Sequence, residues 1–290
     1  MSDDGSTALT LIAMLGSVFS PLYAARRARA PQDPLDHCAM NVAVYPLGGP
    51  RTRARADARW ALTERGVGSV RRSSDQLLIG PSSMTRLGES VVVHLDEVSS
   101  PAARRIKGSV VLRPTAWHQI PYDLDPRGRH RWTPIAPLAR VSVVLEDPAL
   151  SFEGSGYLDA NHGDEPLERA FRSWSWSRST TTDAVDVAYD ARLQGGTERH
   201  LGLRFEGRDV TAVSHEPSRL ARTRWNLPRT ARVSSREVRV QHTLEDTPFY
   251  ARSLLRTDGG HLTMHEELSL DRFSAPWVQM LLPFRMRREP

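Results

Sequence analysis

The sequence predicts an all-β fold, because short runs of period-two alternation or β-branched residues recur from end to end and turn chemistries separate them. Only one stretch carries a helical pattern. The strand-like runs are Ala8 to Val18, Cys38 to Tyr45, Gln76 to Ile79, Ser90 to Leu95 and Gly108 to Arg113. They continue with Arg140 to Glu146, Val185 to Tyr189, His200 to Phe205, Glu237 to His242 and His261 to Leu268. Between them stand Gly48-Gly49-Pro50, Asp125-Pro126-Arg127-Gly128, Gly195-Gly196 and Asp258-Gly259-Gly260, which are turn formers rather than helix caps. Many short strands joined in this way imply barrels or sandwiches.

The helical pattern is Asp164 to Trp174, where Asp164 can cap, Pro166 suits the first turn and Leu167, Ala170, Phe171 and Trp174 fall at helical spacing. It lies near the middle of the chain, so the simplest division is an N-terminal β domain over residues 1–165 and a C-terminal one over 166–290. No internal repeat is evident. At the start, Asp4-Gly5 is a hairpin-type signal followed by an apolar strand, and the partner of that strand is expected upstream of Met1. The N-terminal domain is therefore expected to lack its first strand and to leave an unpaired edge.

With 290 residues, 39% of them apolar, the chain can build one large or two ordinary cores. A single cysteine, Cys38, excludes an internal disulfide and a cysteine-rich zinc site, and fits a cytoplasmic location. The formal charge of +5 comes almost entirely from arginine, since Lys107 is the only lysine. Basic residues cluster at Arg26, Arg27 and Arg29, at Arg51, Arg53 and Arg55, and at Arg285, Arg287 and Arg288. Each patch alone reads more simply as a solvated loop or tail than as a phosphate-binding surface. The most apolar run, Leu9 to Phe19, is too short and too broken to cross a bilayer, and its acidic flank argues against a signal peptide.

No phosphate-binding glycine loop, His-Glu-x-x-His or Gly-x-Ser-x-Gly is present. Asp159-x-Asn161 starts like a calcium loop, but Asp164 stands where glycine is required and Ala170 where the bidentate glutamate belongs. Neither metal nor cofactor is expected. What stands out is the dense aromatic, acidic and glycine segment from Gly154 to Glu168, followed by Trp174-Ser175-Trp176-Ser177-Arg178. In an extended chain Tyr157, Asp159 and Asn161 share one face. A carboxyl beside aromatic rings in an apolar cavity is the combination that raises its pKa and makes it a proton donor. On the residues alone, a turn held by Asp159 and Asn161 with tryptophans filling core accounts for the same pattern slightly better. A second cluster, Gly128 to Pro137, puts His130 and Trp132 on one strand face. Such a pair is more often a packed edge than a site.

These segments resemble a known family. Gly16-Ser17-Val18-Phe19-Ser20-Pro21-Leu22-Tyr23, Pro34-Leu35-Asp36-His37-Cys38-Ala39-Met40-Asn41-Val42-Ala43, and Gly156-Tyr157-Leu158-Asp159 with Asp164-Glu165-Pro166-Leu167-Glu168 look like carotenoid 1,2-hydratase, also called hydroxyneurosporene synthase. So does Leu244 to Ser253. Ser269 to Phe273, Pro276 to Gln279 and Leu282 to Met286 continue the likeness to the C-terminus. The family usually carries an aromatic-rich strand ahead of the point where this chain begins, in keeping with the missing hairpin partner.

The resemblance implies two tandem lipocalin-like antiparallel β barrel or sandwich domains with a ligand cavity. It also implies catalytic candidates at Asp159, Tyr157, His130 and Trp132. The expected reaction is acid-catalysed addition of water to the terminal double bond of an acyclic carotene such as neurosporene or lycopene. Holding Asp159 protonated near pH 7 needs a shift of about three units, roughly 4 kcal/mol. Tyr157 and Trp132 would face the developing cation, and His130 would orient Asp159 or accept a proton from the attacking water. The expected partners are the carotene, water and, transiently, a membrane surface, with no nucleic acid and a location peripheral to the inner membrane. The rivals are a lipocalin-like carrier that binds without reacting and a terpenoid or polyketide cyclase on the same scaffold.

Overall fold

The computed structural model describes residues 1–49, 57–181 and 183–289. The Arg51, Arg53 and Arg55 cluster lies outside the described residues. In chain order the strands are β1 (Thr7–Met14), β2 (Cys38–Pro46), β3 (Arg59–Arg65), β4 (Val70–Arg72), β5 (Gln76–Ile79), β6 (Ser82–Leu87), β7 (Ser90–Val98) and β8 (Arg105–Pro114). There follow β9 (Tyr122–Asp123), β10 (His130–Asp147), β11 (Leu150–Gly163), β12 (Phe171–Thr180), β13 (Ala184–Leu193), β14 (Glu198–Glu206) and β15 (Asp209–Ala212). The last are β16 (Pro217–Leu220), β17 (Arg229–Arg232), β18 (Val238–Asp246), β19 (Tyr250–Thr257), β20 (Leu262–Ser269) and β21 (Arg287–Glu289). The all-β expectation holds.

Helix is confined to short pieces. α1 (Pro21–Arg27) was not expected, although its start is written in the chain: the Ser20 hydroxyl accepts a hydrogen bond from the Tyr23 amide and Pro21 occupies the first turn. The helix expected over Asp164 to Trp174 shrinks to one turn, α2 (Leu167–Ala170), and β12 takes over at Phe171. Phe171 to Trp176 satisfies both periods, and pairing on both sides of the strand decides for two: Trp176 lies opposite Tyr189 of β13 and Glu266 of β20. Two further short helices, α3 (Leu270–Phe273) and α4 (Pro276–Leu281), close the C-terminal region.

The chain forms two compact units. One comprises residues 1–114, 139–156 and 279–290, the other 115–138 and 157–278. Neither unit is one uninterrupted stretch of chain. Two of the breaks fall inside long strands that run on through them, one in β10 just after Pro137-Leu138 and one in β11 just after Gly156.

The first unit holds a four-stranded sheet in the order β1-β2-β3-β21, with β21 parallel to β3, and the antiparallel ladder from β4 to β8 continued by β10. β1 is an edge strand paired with β2. Asp3-Asp4-Gly5 does form a turn, closed by the Ser2 amide on the Thr7 carbonyl. Met14, Ala39 and Leu62 form a core cluster with Ile12, Phe19, Trp60 and Met286 against it. Arginines of two sequence clusters take part in packing: Arg27 lies over the Tyr23 ring and Arg285 over that of Trp60.

The second unit is built on a seven-stranded antiparallel sheet in the order β15-β14-β13-β12-β20-β19-β18. Register assigns its faces. Trp176, Arg178, Tyr189, Leu203 and Glu266 lie on one, and Ser175, Ser177, Asp190, His265 and Glu267 on the other. The first face packs against the parts of β10 and β11 that belong to this unit. The β16–β17 hairpin covers the second, with the Ser177 hydroxyl donating to the Arg232 carbonyl and Arg232 paired with Asp190.

Candidate active site

Alternation along two strands positions the central groups. Tyr157 and Asp159 stand two apart on β11 and point to the same side, and Trp132 projects from β10. The Trp132 Nε1–H and the Tyr157 hydroxyl each donate to Asp159 Oδ2 at 2.8 Å. Both donors converge on one oxygen, so Oδ1 is left to carry a proton. Around them is an aromatic wall. Trp132 is fully buried, with the Tyr189 ring 5.3 Å away, Tyr122 5.8 Å and Phe205 6.5 Å, and Trp176 lies 5.5 Å from Tyr157.

Electrostatics follow from that enclosure. Burial pushes the Asp159 carboxyl up to about 6, against the pull of its two donors, and Glu266 adds to the rise while Arg178 opposes it. Burial likewise holds the Tyr157 and Tyr189 hydroxyls well above the usual phenol range, reinforced by Asp159, so both are neutral donors. Arg178 lies 5.0 Å over the Tyr157 ring, and burial lowers it to about 10, which leaves it charged at neutral pH.

Three of the four residues singled out in the sequence therefore meet: Asp159, Tyr157 and Trp132. His130 shares the strand face of Trp132 but is not a hydrogen-bond partner of Asp159. Its ring sits edge-on to Phe171 at 4.9 Å, its Nε2 is buried without a partner, and burial holds its pKa down. Gly163 is required beside it, since a Cβ there would come within 2.6 Å of His130 Nδ1. Asn161 does share the face of Tyr157 and Asp159, and its amide reaches the Tyr189 hydroxyl at 3.4 Å.

Sequence reasoning missed Arg178, Tyr189 and Glu266. The i, i+2, i+4 series Trp174, Trp176, Arg178, with serines between, was the available signal for one aromatic and basic strand face. Nothing local marks Glu266, which arrives through β12–β20 pairing.

The arrangement is a protonatable carboxyl with its proton-bearing oxygen unengaged, ringed by neutral aromatics that can stabilise positive charge. Such a site can deliver a proton to an apolar π-bond. Comparison with known proteins bears on which one. The family described as Carotenoid hydratase CrtC matches residues 11–290. A protein of Thiocapsa roseopersicina named acyclic carotenoid 1,2-hydratase is 45% identical, over 99% of this chain and 71% of its own length. One of the same name from Rubrivivax gelatinosus is 44% identical with the same coverage, and one from Cereibacter sphaeroides is 37% identical over 97% of this chain and 98% of its own. The crystal structure of an AttH protein from Nitrosomonas europaea superposes with a TM-score of 0.63 at 12% identity, over 93% of this chain and 89% of that one. That likeness speaks for the lipocalin-like all-β fold alone. The match over nearly the whole sequence shows that this chain belongs to the carotenoid hydratase CrtC family.

Proposed function

We propose that this protein is an acyclic carotenoid 1,2-hydratase in which Asp159 protonates C2 of the terminal C1=C2 double bond. The single observation that carries the assignment of Asp159 is its geometry: two donors on Oδ2, none on Oδ1 among the described residues, and burial that lifts its pKa to about 6. Family membership supports the substrate class.

Proton transfer from Oδ1 to C2 leaves a tertiary cation at C1 and a carboxylate that its two donors stabilise. Water captures the cation at C1, and the proton it releases returns to the carboxylate, so the enzyme ends unchanged. The rings of Trp132, Trp176 and Tyr189 supply π-faces for the cation, worth on the order of 2 kcal/mol each when desolvated. Tyr157 has a different part. Arg178 already lies over its ring, so its contribution is the hydroxyl that holds Asp159. His130, neutral and packed on Phe171 with its Nε2 buried, is a packing group beside the site, and the water proton goes to Asp159.

At a pKa of about 6, roughly a tenth of the carboxyl is protonated at pH 7. Entry of a polyene expels water and raises that fraction further. The substrate dissolves in bilayers, so the protein collects it by transient contact with a membrane surface. Among the described residues no helix is long and apolar enough to cross one.

The deciding experiment incubates the chain and its Asp159→Asn variant with lycopene or neurosporene in detergent dispersion and looks for the mass of one added water. Product from the first and none from the second is expected. Carotene bound but unchanged by both would overturn the hydratase reading in favour of a carrier.

A further inference from the structure

The second unit displays an aromatic pair that the catalytic chemistry does not use. Trp225, on the loop between β16 and β17, and Trp277, on α4, stack with ring centroids 6.2 Å apart and planes inclined by 30°. Each is 47% exposed. The helix that carries Trp277 continues to Met280 and Leu281, both exposed, and the Trp225 loop also bears the exposed Arg222 and Arg224.

This loop is heavily braced. Arg272 donates from its guanidinium to the carbonyls of Trp225, Asn226 and Pro248, and the buried Arg229 donates to those of Ala221 and Arg222. The Thr223 hydroxyl accepts from the Leu227 amide, and Asp246 accepts from that of Arg224. At the tip Asn226 adopts φ 59°, the left-handed turn conformation that asparagine accepts more readily than other non-glycine residues. Two arginines thus hold the loop backbone in a form that leaves about half of the Trp225 indole in solvent. Rigid presentation lowers the ordering cost of binding something there.

We propose that the Trp225–Trp277 pair, with Arg222 and Arg224 on the same loop, is the element that docks this protein on an anionic lipid surface. Indoles favour the headgroup level, where their bodies are apolar and their N–H groups wet, and arginines beside them match the negative potential of acidic lipids. The inference rests on the hydratase reading for one point, that the substrate resides in bilayers, and names the surface through which it is reached.

The test uses carotene-free vesicles, so that its failure and a failure of the hydratase reading are distinguishable. The full chain is floated with vesicles of three parts phosphatidylcholine to one of phosphatidylglycerol. Wild type is expected to float. Trp225→Ser/Trp277→Ser is expected to bind about tenfold or more weakly, because two exposed indole surfaces are lost. Arg222→Gln/Arg224→Gln, which leaves both indoles in place, is expected to weaken binding at low salt and to flatten its salt dependence. Because all these residues are outside the Asp159 site, both variants should keep wild-type turnover of detergent-dispersed carotene, and that turnover also certifies their fold. Vesicle binding equal to wild type in both variants, or no binding by wild type, overturns the proposal. So does a change of oligomeric state in the tryptophan variant with vesicle binding intact, since the pair would then join copies of this chain.

Discussion

The seven-stranded sheet of the second unit has a carboxyl with a raised pKa against each face, and the two differ in what surrounds them. Asp159, against the Trp176 and Arg178 face, is lifted by burial to about 6 while two donors 2.8 Å away hold its anion in check. Glu267, on the opposite face, is lifted by burial to about 8, and among the described residues it accepts a long 3.4 Å hydrogen bond from the Thr230 amide, with His265 Nε2 3.9 Å away. Its neighbour His265 is held neutral, pushed down by burial to about 4, with Nε2 on the Thr230 carbonyl and Nδ1 unpaired. Glu267 is the more perturbed acid and the worse proton donor. Once ionised it has one long amide hydrogen bond and the more distant fields of Arg192 and Arg229, which do not offset its burial, and serines, a histidine and the β16–β17 hairpin line its surroundings rather than aromatic rings. A raised pKa alone does not make a catalytic acid. Donors that stabilise the conjugate base and π-faces for the cation set Asp159 apart.

Removing the acid itself should have the largest effect. Asp159→Asn keeps the shape and the carbonyl acceptor but cannot give up a proton, so turnover of detergent-dispersed carotene is expected to fall by about 10³-fold or more, with carotene binding retained. Product formation within tenfold of wild type would move the chemistry elsewhere. For wild type the acid form is the active one, so kcat/KM should be level below pH 6 and fall toward tenfold per unit above it. A profile that rises across pH 6 to 8 would mark Asp159 as a base instead.

The donors should matter less, and in a direction that distinguishes them from packing residues. Tyr157→Phe removes one hydrogen bond to the carboxylate while keeping the ring under Arg178. We expect a loss of about 10- to 100-fold, together with an alkaline shift of the falling limb, because the lost donor lowered the Asp159 pKa. Trp132→Phe should shift the limb the same way. A loss with the limb unmoved would assign these residues to substrate packing. His130→Gln, which touches Phe171 rather than Asp159, should cost less than either and leave the limb in place.

Much of this site was legible because alternation is local. Tyr157 and Asp159 stand two apart on one strand, His130 and Trp132 on another, and extended geometry alone puts each pair on one face. What could not be read was which face meets which. Arg178, Tyr189 and Glu266 arrive through strand register, fixed by pairing between segments up to about a hundred residues apart, and no local signal encodes that. The same limit explains why His130 was expected on Asp159. Sharing a face with Trp132 is a property of the strand, whereas packing on Phe171 is a property of the fold. The helix expected over Asp164 to Trp174 fails where 3.6 and 2 fit the same residues.

The smallest effect on catalysis and the cleanest contrast should come from Glu267→Gln. Turnover is expected to stay within about twofold of wild type, since Glu267 faces away from the Asp159 side of the sheet. Stability should change with pH. The Glu267 carboxyl is raised from 4.5 unfolded to about 8 folded, so between those values the native state holds a proton that the unfolded chain has lost. Wild-type stability attributable to this group therefore falls as pH rises from about 4.5 to about 8 and is flat above. Glutamine cannot ionise and escapes that loss. The variant should match wild type in urea denaturation near pH 5 and exceed it by on the order of a few kcal/mol near pH 8.5. His265 lies 3.9 Å from Glu267, so only the part of its titration that is independent of Glu267 cancels in the difference. Parallel stability curves across that range would show that water or relaxation already relieves Glu267. The contrast between the two faces would then rest on the aromatic rings alone.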